Sequence, residues 1–207
     1  MPISNERRTG VRYFLSRPKI YDFFQFLIGG RSARKYVISR FVSEKNSILD
    51  IGCGTGYALD FIPQTCSYEG FDLNKIYINY ARNKYGQRGK FYCQNAGKSN
   101  IPIENKYDIV LAMGLIHHLN DVEADNFFKF SSHVLKPSGK LLTLDGVYEK
   151  GQNPVAKFML NNDRGKYIRF KEAYLELAQR HFDHVSSEVN CNLFKIPYSC
   201  CILNCSN

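Results

Sequence analysis

The chain has 207 residues, a formal charge of +9 and no tryptophan. Such a length holds one α/β domain with a real core and is too short for two comfortable ones. No run of about 18 apolar residues occurs, and the first 20 residues are too charged for a signal peptide. A membrane span and a secretory leader are therefore not expected, and a cytoplasmic enzyme is the default.

The charge is unevenly placed. Residues 1–45 hold ten Lys or Arg against the three acids Glu6, Asp22 and Glu44, which accounts for seven of the nine net positive charges. A solvated helix face explains such a segment, and so does attraction to an anionic substrate, a membrane surface or RNA. Nucleic acid is disfavoured as a partner, because no basic motif is interleaved with Phe or Tyr in the RNA-binding manner. The seven cysteines are odd in number and form no C-x-x-C pair. Those from Cys200 to Cys205 lie in an apparent strand whose neighbours point to opposite faces, so reduced structural thiols are expected and a metal site is not.

Two helical patterns come first. Pro18 opens one, with Ile20, Phe23, Phe24, Leu27 and Ile28 as its apolar stripe and Gly29-Gly30 as its stop; Val37, Ile38, Phe41 and Val42 mark the second. Because the first core strand starts only afterwards, residues 1–45 are expected to form a helical lid or extension and residues 46–207 the main domain. Tyr13 and Tyr21 read as core aromatics. Ser47-Ile48-Leu49-Asp50-Ile51 is a short apolar run that stops at glycines, which fits a buried parallel strand. Gly52, Gly54 and Gly56 then leave no Cβ where the backbone turns and a ligand can approach, and a helix over 56–62, ended by Pro63, should aim its N-terminus there. Tyr57 stands where the third glycine of a dinucleotide fingerprint would be, and no Lys follows as a phosphate-binding loop requires, so both nucleotide types are disfavoured.

Strand 67–71 leads to Asp72, a helix spans 74–84 and ends near Gly86, and strand 89–93 runs into Gln94-Asn95-Ala96. Ile101-Pro102 marks a loop, 107–111 a fourth strand, 121–135 a helix, 136–139 a turn and 140–144 a fifth strand. Residues 145–169 are polar and read as a loop, before a helix over about 171–181 and closing strands near 183–191 and 193–204. This alternation argues a doubly wound, mostly parallel sheet.

The form D-x-G-x-G-x-G from Asp50 to Gly56, with Asp72 after the next strand, resembles the cofactor site of class I S-adenosylmethionine-dependent methyltransferases. The resemblance covers about residues 45–205. It implies a Rossmann-like seven-stranded α/β sheet of order 3-2-1-4-5-7-6, its last strand antiparallel, with helices on both faces. It also implies S-adenosyl-L-methionine as cofactor, with the glycines near its methionine part and Asp72 accepting from both ribose hydroxyls. Ala112-Met113-Gly114-Leu115-Ile116-His117-His118-Leu119 resembles the family's segment after the fourth strand, and Leu135-Lys136-Pro137-Ser138-Gly139 its turn before the fifth. Asn95 stands where the family has Asp before Ala, and its side-chain carbonyl can still accept from the adenine amine. The implied cofactor contacts are Asp50, Gly52, Cys53, Gly54, Gly56, Asp72, Leu73, Asn95, Ala96, Ala112 and Met113.

Methyl transfer from a sulfonium is an in-line displacement, so the enzyme's task is to align acceptor and methyl and to keep water out. An oxygen acceptor profits from a base, and histidine suits that task near neutral pH. His117 and His118 follow the fourth strand at the carboxyl edge of the sheet, where ligands of open α/β folds sit. Being adjacent, they cannot both point at one atom. His117 is the candidate catalytic group and His118 a candidate substrate contact, with a purely structural role open for either. Asp145, after the fifth strand, could orient an acceptor or cap a turn. Asp163, Arg164, Tyr167 and Arg169 concentrate directional groups in seven residues, and one arginine is expected to clamp an acidic group; pairing with surface acids is the plainer alternative. That D-R-G-x-Y-x-R run, with K-I-P-Y (Lys195 to Tyr198) in the last strand, resembles an uncharacterised branch of small bacterial class I methyltransferases and implies no particular acceptor. The reading is a methyltransferase acting on a small or lipid-linked anionic acceptor. An RNA methyltransferase, favoured by charge alone, and a non-catalytic cofactor-binding partner subunit are the alternatives.

Overall fold

A computed structural model describes residues 17–98 and 106–207. Tyr13 and the Ile101-Pro102 loop lie outside them. The first helix, α1 (Pro18–Ile28), carries Pro at its first turn and ends where Gly29 takes a left-handed φ of 89°. Gly30 then opens α2 (Gly30–Phe41). The sheet begins with β1 (Ser47–Ile51), β2 (Ser67–Phe71) and β3 (Lys90–Tyr92), with α3 (Lys75–Tyr85) crossing between the last two. It continues with β4 (Tyr107–Met113), α4 (Asp121–Val134), β5 (Leu135–Tyr148), α5 (Pro154–Asn161), β6 (Arg169–Phe170) and α6 (Lys171–Gln179). The strands β7 (His184–Asn190) and β8 (Cys200–Ser206) close it.

The strands run in the order β3-β2-β1-β4-β5-β8-β7, with the two-residue β6 beside β5 off that path. Only β8 is antiparallel to its neighbours β5 and β7. Setting β6 aside, this is the expected seven-strand order. Alternate residues of each strand face opposite layers. In β4, Val110 and Ala112 pack towards α4 and α6, while Ile109, Leu111 and Met113 pack towards α2 and α3. The cysteines of β8 divide likewise, Cys201 and Cys205 to the first layer and Cys200 to the second. No helix among the described residues is long and apolar enough to cross a membrane.

Several expectations change. Ala33, Val37 and Ile38 of α2 are fully buried in one cluster with Ile48, Leu111 and Leu142, so α2 packs on the sheet. The helix expected over 56–62 is a single 3-10 turn at Tyr57–Asp60, because Tyr57, Ala58 and Leu59 all point into the core and the chain leaves at once. Residues 145–169 are not all loop: β5 runs on to Tyr148, and α5 starts where the Asn153 side chain caps the amides of Val155 and Ala156 just before Pro154. The last strand begins at Cys200, which leaves Lys195–Tyr198 in the bends before it.

Candidate active site: a cleft where the strand order reverses

The sheet order switches direction between β1 and β4, and open α/β folds bind ligands at the carboxyl edge of that point. A cleft of about 880 Å³ opens there. Its floor is the glycine turn after β1, where Gly52, Gly54 and Gly56 have φ of 77°, 57° and 76°. Their reasons for lacking a side chain differ. A Cβ on Gly56 would press on Phe91 and Ala81, whereas one on Gly54 would meet nothing within 4 Å and would stand in the cleft. Gly56 is therefore a packing residue, and Gly54 keeps the cradle open.

Asp72 lines the cleft beside the turn. Its two oxygens accept from Gly54 N at 2.9 Å and Asn74 N at 2.7 Å, bonds that fix the carboxylate at the edge of the cleft. Further along stand Leu73, Asn95 and Ala96; Asn95 Oδ1 accepts from Gly97 N at 2.9 Å, which sets the amide's orientation. Cys53 also lines the cleft, and burial with nearby Asp50 and Asp72 pushes its thiol pKa up, so it is no nucleophile. Asp50 itself lies behind the turn: its carboxylate is buried, accepts from Tyr68 Oη at 2.6 Å, and is raised to about 6 by that burial. Ala112 is wholly buried within β4. Asp50, Gly56 and Ala112 thus support the site without reaching it, while Met113 does line it.

The wall opposite comes from helices whose share in the site has no sequence motif. Arg34 of α2 donates to Met113 O at 2.8 Å and lies 4.4 Å from the Tyr57 ring centroid, which fixes a cation at the turn. Tyr21 of α1 lines the cleft and packs on Tyr77 at 5.3 Å, so it is a site aromatic and not a core one.

The two histidines part company. His117 is buried, and its Nδ1 lies 2.8 Å from Asp145 Oδ1 while Nε2 lies 3.5 Å from Asp163 Oδ1. Burial opposes a charge on the ring, but the two aspartates outweigh it and lift the pKa to about 9. Both ring nitrogens are committed, so His117, expected as the catalytic group, is an imidazolium clamped behind the wall. His118 is the one that lines the cleft; burial and the neighbouring His117 cation lower it to about 4, leaving it neutral.

The D-R-G-x-Y-x-R segment is one latch over the turn after β4. Asp163 meets His117 and accepts from Tyr198 Oη at 3.0 Å; Gly165 passes so close that a Cβ would run into the His117 ring; Tyr167 N donates to His117 O at 2.9 Å. Arg169 donates to Ile116 O, Leu119 O and Asp121, the shortest contacts being 2.7 Å. Asp145, Asp163, Tyr167 and Arg169 were expected to touch substrate, and none of them lines the cleft; Arg164 does, with its guanidinium 5.7 Å from the Tyr21 ring centroid. Arg169→Ala is accordingly expected to lower stability by about 1.5–3 kcal/mol, the range for lost charged hydrogen bonds, with cofactor affinity unchanged. Urea unfolding alongside calorimetry checks this, and an unaltered midpoint would remove Arg169 from the latch.

Residues 48–139 match a family model described as a methyltransferase domain. An O-methyltransferase of Pyrenophora dematioidea is 33% identical over 110 residues, covering 50% of this chain and 40% of that one. The chain spans between 38% and 56% of the length of the curated relatives it matches. Among solved structures, a chain in the complex of the Haloferax volcanii Trm112 methyltransferase activator with a methyltransferase superposes with a TM-score of 0.71 at 16% identity, covering 95% of this chain and 97% of that one. Phosphoethanolamine N-methyltransferase 2 of Haemonchus contortus, solved with phosphomonomethylethanolamine and S-adenosylhomocysteine, gives 0.68 at 22% identity over 88% of this chain and 47% of that one. Residues 48–139 are thus similar to a methyltransferase domain, and the whole chain shares the fold of these solved proteins.

Proposed function

We propose that the chain transfers a methyl group from S-adenosylmethionine to a small or lipid-linked acceptor bearing an acidic group. The observation that carries this reading is Gly54, whose missing side chain faces open cleft beside the Asp72 carboxylate. The sulfonium of the bound cofactor supplies an electrophilic methyl group. Gly54 makes room for its methionine part beside Gly52, Asp72 accepts from the ribose hydroxyls, and Asn95 with Leu73 and Ala96 takes the adenine end. At the other end His118, neutral and half-buried, accepts a hydrogen bond that orients the acceptor, while Arg164 offers its cation. His117 holds that end in place through the clamp behind it. Aligning donor and acceptor in a closed cleft is most of what this displacement needs.

Asp72→Ala should weaken S-adenosylhomocysteine binding by about 10- to 150-fold, the equivalent of losing about 1.5–3 kcal/mol of charged hydrogen bonds. Calorimetry reads this directly, and an unchanged Kd would reject the ribose role. Arg164→Ala should lower turnover of an anionic acceptor by a similar factor while cofactor affinity holds. A lower melting temperature with unchanged turnover per folded molecule would assign Arg164 to structure instead. The whole reading is tested by incubating the protein with methyl-tritiated S-adenosylmethionine and, separately, a lipid extract, phosphorylated metabolites and total RNA. Label is expected in one of the first two; label in RNA alone would overturn the acceptor class.

A further inference from the structure

The geometry points to α1 as a docking element that seats the chain on an anionic lipid surface. This helix is built inside out. Its polar side chains turn inward: Asp22 accepts from Thr55 Oγ1 at 2.5 Å, Gln25 Oε1 accepts from Tyr57 Oη at 3.3 Å, and Tyr21 faces the cleft. Its large apolar side chains turn outward, with Phe23, Phe26 and Leu27 exposed at 60%, 53% and 51% and Phe24 beside them. Lys19, Phe23, Phe26 and Leu27 stand at i, i+4, i+7 and i+8, so they form one stripe. A helix of a water-soluble domain turns its apolar stripe to the core, and α1, which has no buried residue, does the reverse.

Charge selects what covers the stripe. Arg17 and Lys19 are exposed on α1 and before it, and Lys195 Nζ lies 4.5 Å from the Phe26 ring centroid at the far end. The only acid of the helix, Asp22, points inward to Thr55. Two copies meeting through this face would bring like charges together, which disfavours self-association. A bilayer interface with anionic headgroups accepts both features, Phe and Leu entering the acyl boundary and Arg and Lys meeting the headgroups. The apolar surface also continues to the site, since exposed Leu73 and Ile76 line the cleft that Tyr21 of α1 helps to wall. Docking brings the mouth of the cleft to the lipid surface. This holds whichever acceptor is methylated, and it is read without any methyl donor.

The absence of tryptophan makes Phe23→Trp a single-tryptophan reporter. The full chain is mixed with vesicles of phosphatidylcholine alone or of an even mixture with phosphatidylglycerol, then floated through a density gradient. Wild type is expected to float with the anionic vesicles and not with the neutral ones, and the emission of the reporter to move to shorter wavelength only with the former. The combined variant Phe23→Ser, Phe26→Ser, Leu27→Ser should bind these vesicles about 100-fold more weakly or worse, with its unfolding midpoint and S-adenosylhomocysteine affinity retained. Lys19→Glu, which leaves the apolar stripe intact, should weaken binding more at low salt than at high. Failure of wild type to float, undiminished binding by the triple variant, or equal binding to neutral vesicles overturns the proposal. So does a wild-type dimer in solution that the triple variant loses, which would give the stripe to a second copy.

Discussion

Gly54→Val is expected to abolish binding of S-adenosylhomocysteine and to leave the protein folded. The residue has a φ of 57°, and a Cβ there meets no atom within 4 Å, so the branched side chain projects into the cleft and not into the core. Holding a non-glycine residue in the left-handed region costs about 1–2 kcal/mol, small against the ~5–15 kcal/mol that keeps a domain folded. Gly56→Val is the contrast. Its side chain would strike Phe91 and Ala81, so that variant should lose stability before cofactor binding can be asked about. Circular dichroism with calorimetry on both variants separates the two glycines, and full affinity in Gly54→Val would make the whole turn structural.

His117→Ala should destabilise the protein by about 3–5 kcal/mol, the penalty for leaving a buried charge without its partner. Asp145 is buried, its Oδ1 receives both the backbone N–H and Nδ1 of His117, and its Oδ2 has no hydrogen-bond partner among the described residues. Removing the ring strands that carboxylate. Urea unfolding measures the loss, and Asp145→Asn added to His117→Ala should restore part of it; a single-variant loss below about 1 kcal/mol would reject the clamp. The pH dependence has a definite sign. A histidine ordinarily titrating near 6.5 but held to about 9 here binds its proton more tightly folded than unfolded. Its stabilising contribution is complete below pH 6.5 and is lost as pH rises through about 9. Asp163 is shifted the opposite way: although burial alone would raise it, the His117 ring, the Gly165 amide and Tyr198 together lower it. Its contribution is present above its ordinary 3.8 and is lost as pH falls below that value. The wild-type melting temperature should therefore decline between pH 7 and 9 more steeply than that of the alanine variant.

The sheet was legible because its strands are short apolar runs cut off by Gly, Asp or Pro, and because alternation with helices leaves few ways to join them. The cofactor end was legible for the same local reason, since Gly52, Gly54 and Asp72 sit at two strand ends that the fold makes neighbours. Helix α5 carries a local signal in the cap and first-turn pair Asn153-Pro154. Other features have no local signature. Nothing in the spacing of Ala33, Val37 and Ile38 says that a sheet face needs covering, so α2 read as an appendage. Which of His117 and His118 reaches the cleft is decided by Asp145 and by a latch more than forty residues downstream. Arg34 likewise enters the site only because α2 packs across β5 and the glycine turn.

The hydrogen bond from Thr55 to Asp22 joins the glycine turn to α1 and is a route for thermodynamic linkage between them. Where a ligand that fixes the turn favours one placement of α1, anything that grips α1 favours the turn's liganded geometry by the same free energy. Occupancy of the cleft and attachment at the surface become reciprocal quantities, with Asp22 as the joint between them. Asp22→Ala should weaken that coupling while leaving the aromatic stripe, Gly54 and the second link, from Tyr57 to Gln25, in place.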